Sequence, residues 1–368
     1  MASTSAAHAD ETGRSRERGT GVGALLARVD DVQAQRPWLA VPVATVKKFG
    51  EDRAGNLAGL LAYYGFFSLF PLLLVLVTVL GMVLSGNEDL QERIVDSALA
   101  QFPVIGNQLR ENTGRLDANG FALAIGLGSA LWAGTGVMKA AEDAMNDVWD
   151  VPMRERPPLY MAVLRAVGML VVLGGGIILT TLLTGYAGGV ASGGLARAAG
   201  AAVSAVLNVA IFLLGFRILT VRDVSLRQLL PGAILAGVAW VVLQVVGAYL
   251  VNRYVKGASQ TYGTFAVVIG FLWWLYLQAR ITLYAAELNV VLADRLWPRS
   301  LRGVATEADR RTLRRHAEVE ERYEPQDVRV GFHRGDDRAG AKRETSAEPR
   351  DVRLPAPDEG KPDRHRSP

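Results

Sequence analysis

The stretch AGNLAGLLAYYGFFSLFPLLLVLVTVLGMVLSGN, residues 54–87, runs for 34 residues without Asp, Glu, Lys or Arg. A helix needs about 20 mostly apolar residues to cross ~30 Å of hydrocarbon, so this run reads as a membrane span with length to spare. Five more uncharged runs follow, at 118–138, 166–196, 198–216, 228–252 and 257–279. Together they predict an all-α, polytopic membrane protein, a bundle of six transmembrane helices, and they exclude a water-soluble globular enzyme.

Whole-chain totals conceal this pattern. The 368 residues carry a net charge of +4, and half of them are hydrophobic. Resolved by position, residues 56–293 hold only 14 basic and 13 acidic side chains. The chain therefore divides into an N-terminal segment 1–53, a six-helix membrane domain 54–293 and a C-terminal tail 294–368. Lys and Arg near span ends favour the cytoplasm. Lys47, Lys48 and Arg53 precede the first run, Lys139, Arg154, Arg156 and Arg165 follow the second, and Arg217, Arg222 and Arg227 follow the fourth. Both termini are expected in the cytoplasm, with the chain crossing the membrane several times. The first 20 residues lack the apolar stretch of a signal peptide, so the first span directs insertion.

Between the first two runs, Leu90, Ile94, Val95, Leu99 and Phe102 recur at helical spacing, predicting an outer amphipathic helix over 88–103. After Arg295 the sequence alternates Arg with Asp and Glu and then becomes Pro-rich. Residues 320–368 read as a disordered polar tail. A short helix near 304–322 is expected from the i,i+4 pairs Glu307–Arg311 and Glu318–Arg322. There is no Cys, and His8, His316, His333 and His365 all lie in the polar ends. The uncharged core thus offers neither thiol nor imidazole, and no metal or cofactor is implied.

Pro71 interrupts the first run and predicts a kink. Gly126, Gly128, Ala130, Gly134 and Gly174–Gly176 predict close helix packing. Span five is expected to begin at Leu230, with Pro231 and Gly232 in its first turn. Span six starts near Tyr262 and Gly263 and runs on to Arg280, Tyr284, Glu287 and Asn289. With the predicted topology, Tyr63, Tyr64, Ser68, Asn146, Arg217, Arg280, Tyr284, Glu287 and Asn289 converge near one membrane face. These residues define a candidate cytoplasm-facing polar vestibule, with Arg217 and Arg280 recognising an anionic group and Glu287 as their counter-charge.

Five segments, AYYGFFSLFPLLL (62–74), AMNDVW (144–149), LPGAILAGVAW (230–240), TYGTFA (261–266) and WLYLQARITLYAAELN (274–289), resemble the YihY/BrkB family of bacterial inner-membrane proteins, once labelled ribonuclease BN. They cover the whole predicted membrane core. The resemblance implies six helices with cytoplasmic ends. This sequence departs from the family pattern at Ala285, where Gly is frequent, and at Val221, where Pro is frequent.

Three functions compete. A transporter or lipid-handling protein, contacting the bilayer and binding anionic lipid or a small anionic substrate, accounts for the polar face and its arginines. The alternative is a membrane scaffold, with a homo-oligomer or another membrane protein as partner. A membrane-bound ribonuclease would need clustered metal-holding carboxylates. Asp143, Asp147 and Asp150 have helical spacing, but a solvated helix end explains them, so the reading is of a non-enzyme that binds no nucleic acid.

Overall fold

The computed structural model describes residues 22–83, 120–158, parts of 160–179, 194–250, 256–301, 305–323 and 326–332. The chain divides into two units, Met1–Arg329 and Val330–Pro368; of the second, only residues 330–332 are described, as irregular backbone. The predicted amphipathic helix 88–103, much of span 166–196, the first 21 residues and the tail beyond 332 lie outside the described residues.

Among the described residues every regular element is helical. In chain order they are α1 (Val22–Gln35), α2 (Pro37–Glu51), α3 (Ala54–Val83), α4 (Gly120–Val148), α5 (Gly194–Leu219), α6 (Leu226–Leu250), α7 (Lys256–Asp294) and α8 (Glu307–Glu318). Two stretches, Ala202–Leu219 in α5 and Leu226–Gly247 in α6, are long and apolar enough to cross a membrane by length and composition. Along α6 from Leu230 onward the exposed side chains are apolar or aromatic, among them Val238, Val241, Val242 and Val245. Such a continuous apolar face is costly in water and suits lipid.

The helices pack pairwise around α7, which contacts α2, α3, α4 and α6. At 39 residues α7 is about 58 Å long, well over the ~30 Å of hydrocarbon that a straight span has to cross. Its neighbours approach closely because they present small residues. Ala54, Ala58 and Ala62 form the buried stripe of α3. A Cβ at Gly232 would overlap the Ala285 carbonyl and the Asn289 amide, and one at Gly247 would overlap the Trp274 ring. The departure at Ala285 therefore leaves close packing intact, because Gly232 on the partner helix supplies the space.

Several expectations change. Helix α6 begins at Leu226, so Pro231 lies inside the helix and not in its first turn. The neighbouring Gly232 N–H donates to Asn289 Oδ1 at 2.7 Å, an interhelical partner. Among the described glycines of α4, a Cβ on Gly128 or Gly134 would meet nothing within 4 Å, whereas one on Gly136 would press on Tyr64 of α3. Pro71, where the sequence predicts a kink, lies inside α3 with helix on both sides of it.

The C-terminal helix forms, but for another reason than i,i+4 pairing. Thr306 and Asp309 make a reciprocal capping box. Arg311 reaches only the Glu307 carbonyl oxygen, at 3.5 Å, and Arg322 pairs with Glu320, not Glu318. Nor does order stop at 320: Met153 and Arg154 N–H groups donate to the Val319 and Glu321 carbonyls, and Arg154 pairs with a buried Glu321 at 2.8 Å.

Candidate functional site

Helix α2 buries Ala40, Ala44, Thr45, Lys48 and Phe49, a stripe at i,i+4 spacing in which one position is a lysine. Lys48 is 0% exposed. Burying an ammonium is tolerable only with charge and hydrogen-bond partners. Its Nζ donates to Asp52 Oδ2 and, at 2.8 Å, to the Val148 carbonyl at the end of α4. Glu287 Oε2 of α7 lies 3.4 Å away and Asp150 Oδ2 lies 3.6 Å away. Burial opposes charge on Lys48, but the fields of Glu287, Asp150 and Asp52 outweigh it and hold the ammonium well above its ordinary pKa. Burial, in contrast, raises the Asp52 carboxyl above the usual range, against the pull of Lys48.

Backbone geometry delivers the acids. Asp52 closes α2, and Arg53 turns the chain into α3 with φ 52°. Asp150 follows α4 and also has φ 52°, a left-handed conformation that Asp tolerates better than most residues. The turn is held by the Val151 N–H, which donates to the Asn146 carbonyl at 2.8 Å.

The fifth member is His316 on α8. Its Nδ1 lies 3.4 Å from Asp150 Oδ1 and 3.7 Å from Asp52 Oδ1, while the imidazole stays 48% exposed. Contact with Asp150 raises its pKa above the ordinary histidine value, against the opposing effect of burial. An imidazole thus joins the buried acids, although the sequence places it far into the polar tail.

A second network fixes α8 in place. Arg299, 1% exposed, donates to Asp309 Oδ1 at 2.6 Å, Thr312 Oγ1 at 2.9 Å and Glu51 Oε2 at 2.6 Å. Lys47 donates to Asp309 Oδ1 at 2.7 Å and to the Ser300 carbonyl at 2.6 Å. Burial works against the Asp309 carboxylate, but hydrogen bonds from Lys47, Ser300 N–H, Arg299 and Thr306 hold its pKa well below the usual range. At the far end of α8, Arg315 and Arg222 share Asp294, and the Arg222 guanidinium lies 5.5 Å from the Trp149 ring centre.

The predicted vestibule residues divide into groups. Glu287 faces Lys48, not the arginines expected as its partners. Asn146 and Asn289 are fully buried, and Asn289 fixes α6 through Gly232. Arg217 makes a surface pair with Asp223 at 3.2 Å. Arg280 is framed by the rings of Phe49, Tyr276 and Tyr284 at 5.5, 5.6 and 5.8 Å, and its Nη2 lies 3.5 Å from Tyr284 Oη. Tyr284 stacks on Phe49 with centroids 3.7 Å apart. Tyr63 and Tyr64 are exposed and Ser68 donates to the Gly65 carbonyl, about 14–21 Å along α3 from its start beside Asp52. Pro71 is half-buried on the same helix, and Tyr262 and Gly263 lie near the start of α7. The three acids weighed for nuclease chemistry go to separate partners: Asp143 to Lys139, Asp147 to Arg156, and Asp150 to Lys48 and His316.

An all-helical bundle with lipid-compatible faces and a buried ion cluster where helix ends meet defines a membrane protein. The chain belongs to the BrkB family: the family described as "Virulence factor BrkB" matches residues 45–308, a span that includes every member of the Lys48 cluster except His316. Similar proteins include the inner membrane protein YhjD of Escherichia coli, 27% identical over 301 residues that cover 73% of this chain and 87% of YhjD. A UPF0761 membrane protein of Alkalilimnicola ehrlichii is 27% identical over 300 residues, 78% of this chain and 65% of that one. A Bacillus subtilis protein, YfkH, carries a ribonuclease-like name and is 25% identical over 251 residues, 64% of this chain and 88% of its own. No solved structure matches the chain.

Proposed function

We propose that this BrkB-family protein is a six-helix transporter or lipid-handling protein of the bacterial inner membrane, with both termini in the cytoplasm and its polar end engaging an anionic headgroup or small anion. The observation that carries this reading is Arg280. Its guanidinium is half-buried, framed by three aromatic rings, and has no carboxylate partner among the described residues. A cation without a counter-ion, beside tyrosines where α7 leaves the hydrocarbon, suits an anionic lipid headgroup. The Lys48 cluster lies one to two turns further along the same helix pair and holds α2 against α7.

The test is reconstitution in liposomes containing labelled phosphatidylglycerol or phosphatidylcholine, with small-anion flux measured in parallel. Wild-type protein should move the anionic species. Arg280→Ala should slow that movement about tenfold, equivalent to loss of one charge-assisted hydrogen bond, and Arg280→Lys should restore part of it. A protein that moves neither lipid nor anion is a scaffold. Multiple-turnover RNA cleavage abolished by Asp147→Ala would establish the nuclease reading.

A further inference from the structure

Beyond transport, two of the three carboxylates around Lys48, those of Asp52 and Asp150, are divided in a way that salt bridging alone does not explain. Each has two oxygens with different tasks. Asp52 Oδ2 and Asp150 Oδ2 face the Lys48 ammonium, whereas Asp52 Oδ1 and Asp150 Oδ1 face His316 Nδ1. All three Oδ1 and Nδ1 atoms lie within 4.8 Å of one another. Asp52 Oδ1 and both Asp150 oxygens are buried and receive no hydrogen bond, so the acceptors aimed at the imidazole are unsatisfied. A buried acceptor left in that state is costly.

We infer that Asp52, Asp150 and His316 form a binding site for one divalent transition-metal ion of the Zn²⁺ or Mn²⁺ type.

The distances fit such an ion. With metal–oxygen and metal–nitrogen bonds of ~2.1 Å, separations of 3.4 and 3.7 Å between His316 Nδ1 and the two oxygens correspond to angles of about 108° and about 124° at the metal, close to tetrahedral. Charge points the same way. Three carboxylates, Asp52, Asp150 and Glu287, surround one ammonium; a doubly charged ion with neutral imidazole brings the buried set to zero. One nitrogen with two carboxylate oxygens suits borderline ions, not soft Cu(I) or the all-oxygen shells of Ca²⁺ and Mg²⁺.

Supporting groups are in place. Lys48 holds the outer oxygens of both acids, the kind of contact that orients metal-binding carboxylates. Asp150 is kept in a left-handed turn by Asn146, and α8 is pinned by Arg299 at one end and Arg315 at the other. The half-exposed imidazole leaves an entry path. The site stands whether or not the protein moves lipid, because its donors do not include Arg280.

The experiment uses tag-free, full-length protein in nanodiscs. Metal content is measured by mass spectrometry as purified, and Zn²⁺ or Mn²⁺ alone is then titrated with calorimetry and thermal unfolding as readouts. Wild type should bind roughly one ion per chain and unfold at a higher temperature when it does. His316→Ala, altered at a half-exposed side chain and so able to keep the fold, should bind at least about 100-fold more weakly, beyond the loss expected for an outer contact. Asp150→Asn should do the same, while His333→Ala and His365→Ala should bind as wild type. Absence of binding by wild type, or binding that survives His316→Ala, overturns the inference and leaves a histidine–aspartate bridge.

Discussion

Replacing Lys48 by Met keeps an unbranched side chain one atom shorter and removes its charge, leaving Asp52, Asp150 and Glu287 buried without their cation. At an effective dielectric constant of ~20, the 3.4 Å contact with Glu287 and the 3.6 Å contact with Asp150 each correspond to about 5 kcal/mol of gross attraction. Much of that is offset, because the substitution also removes the cost of desolvating the ammonium. Breaking one partner of a buried ion set costs about 3–5 kcal/mol net, the range expected here. For a unit of this size each kcal/mol shifts the midpoint by about 2–4 °C, so Lys48→Met should unfold roughly 10 °C lower. Thermal unfolding in detergent, followed by circular dichroism and by size-exclusion recovery, measures this directly. Adding Glu287→Gln removes one of the stranded charges and should recover part of the loss, a non-additivity that identifies the contact. A Lys48→Met protein as stable as wild type, or a double variant weaker than the sum of the two single changes, refutes the cluster as a charge-compensated unit.

Gly232→Ala should cost at least about 1–3 kcal/mol, because the new methyl meets the backbone carbonyl of Ala285, which cannot rotate away; the midpoint of α6–α7 unfolding reports it. Thr306→Ala should loosen α8 by about 1 kcal/mol through loss of its cap, seen as faster hydrogen exchange over 307–318 while α7 is unchanged. The Asp309 carboxyl is held below its unfolded value of ~3.9, so its contribution is fully present above that value and fades as pH falls through the folded pKa. Protection of α8 should therefore hold from neutrality down to about pH 4 and collapse below it, whereas Asp309→Asn should show reduced protection already at pH 7.

Helices were legible in the sequence because hydrocarbon imposes a simple rule on composition. The run at 54–87 anticipates α3, and the run at 228–252 anticipates α6 to within two residues at each end. The polar site was only half legible. Glu287, Asn146 and Asn289 stood out as polar groups close to apolar helices, and all three are buried. Lys48 was read only as a positive mark of topology, and Asp52 was not singled out at all. Their partners come from residues 100 or more positions away, and sequence periodicity carries no record of such pairings. A local signal did exist: Lys48 falls on the same face as Ala40 and Ala44, and Asp52 follows one turn later. His316 is harder to foresee, since α8 is strongly polar and its buried residues, Ala308, Asp309 and Thr312, include only one apolar side chain.

The docking of α8 also sets a timetable for biogenesis. Lys47 and Asp309, which meet in the folded protein, are 262 positions apart in sequence. At about 5–20 residues per second, a ribosome needs roughly a quarter-minute to a minute to travel between them. During that interval Asp150 and then Glu287 are made, and His316 follows only after Asp309, so α2 waits for the partners that enclose its lysine. The cluster closes only when the last helix has been made. A chain broken off before Arg299 consequently lacks every partner that the C-terminal helix brings, and leaves Glu51 without Arg299 and Asp52 without His316.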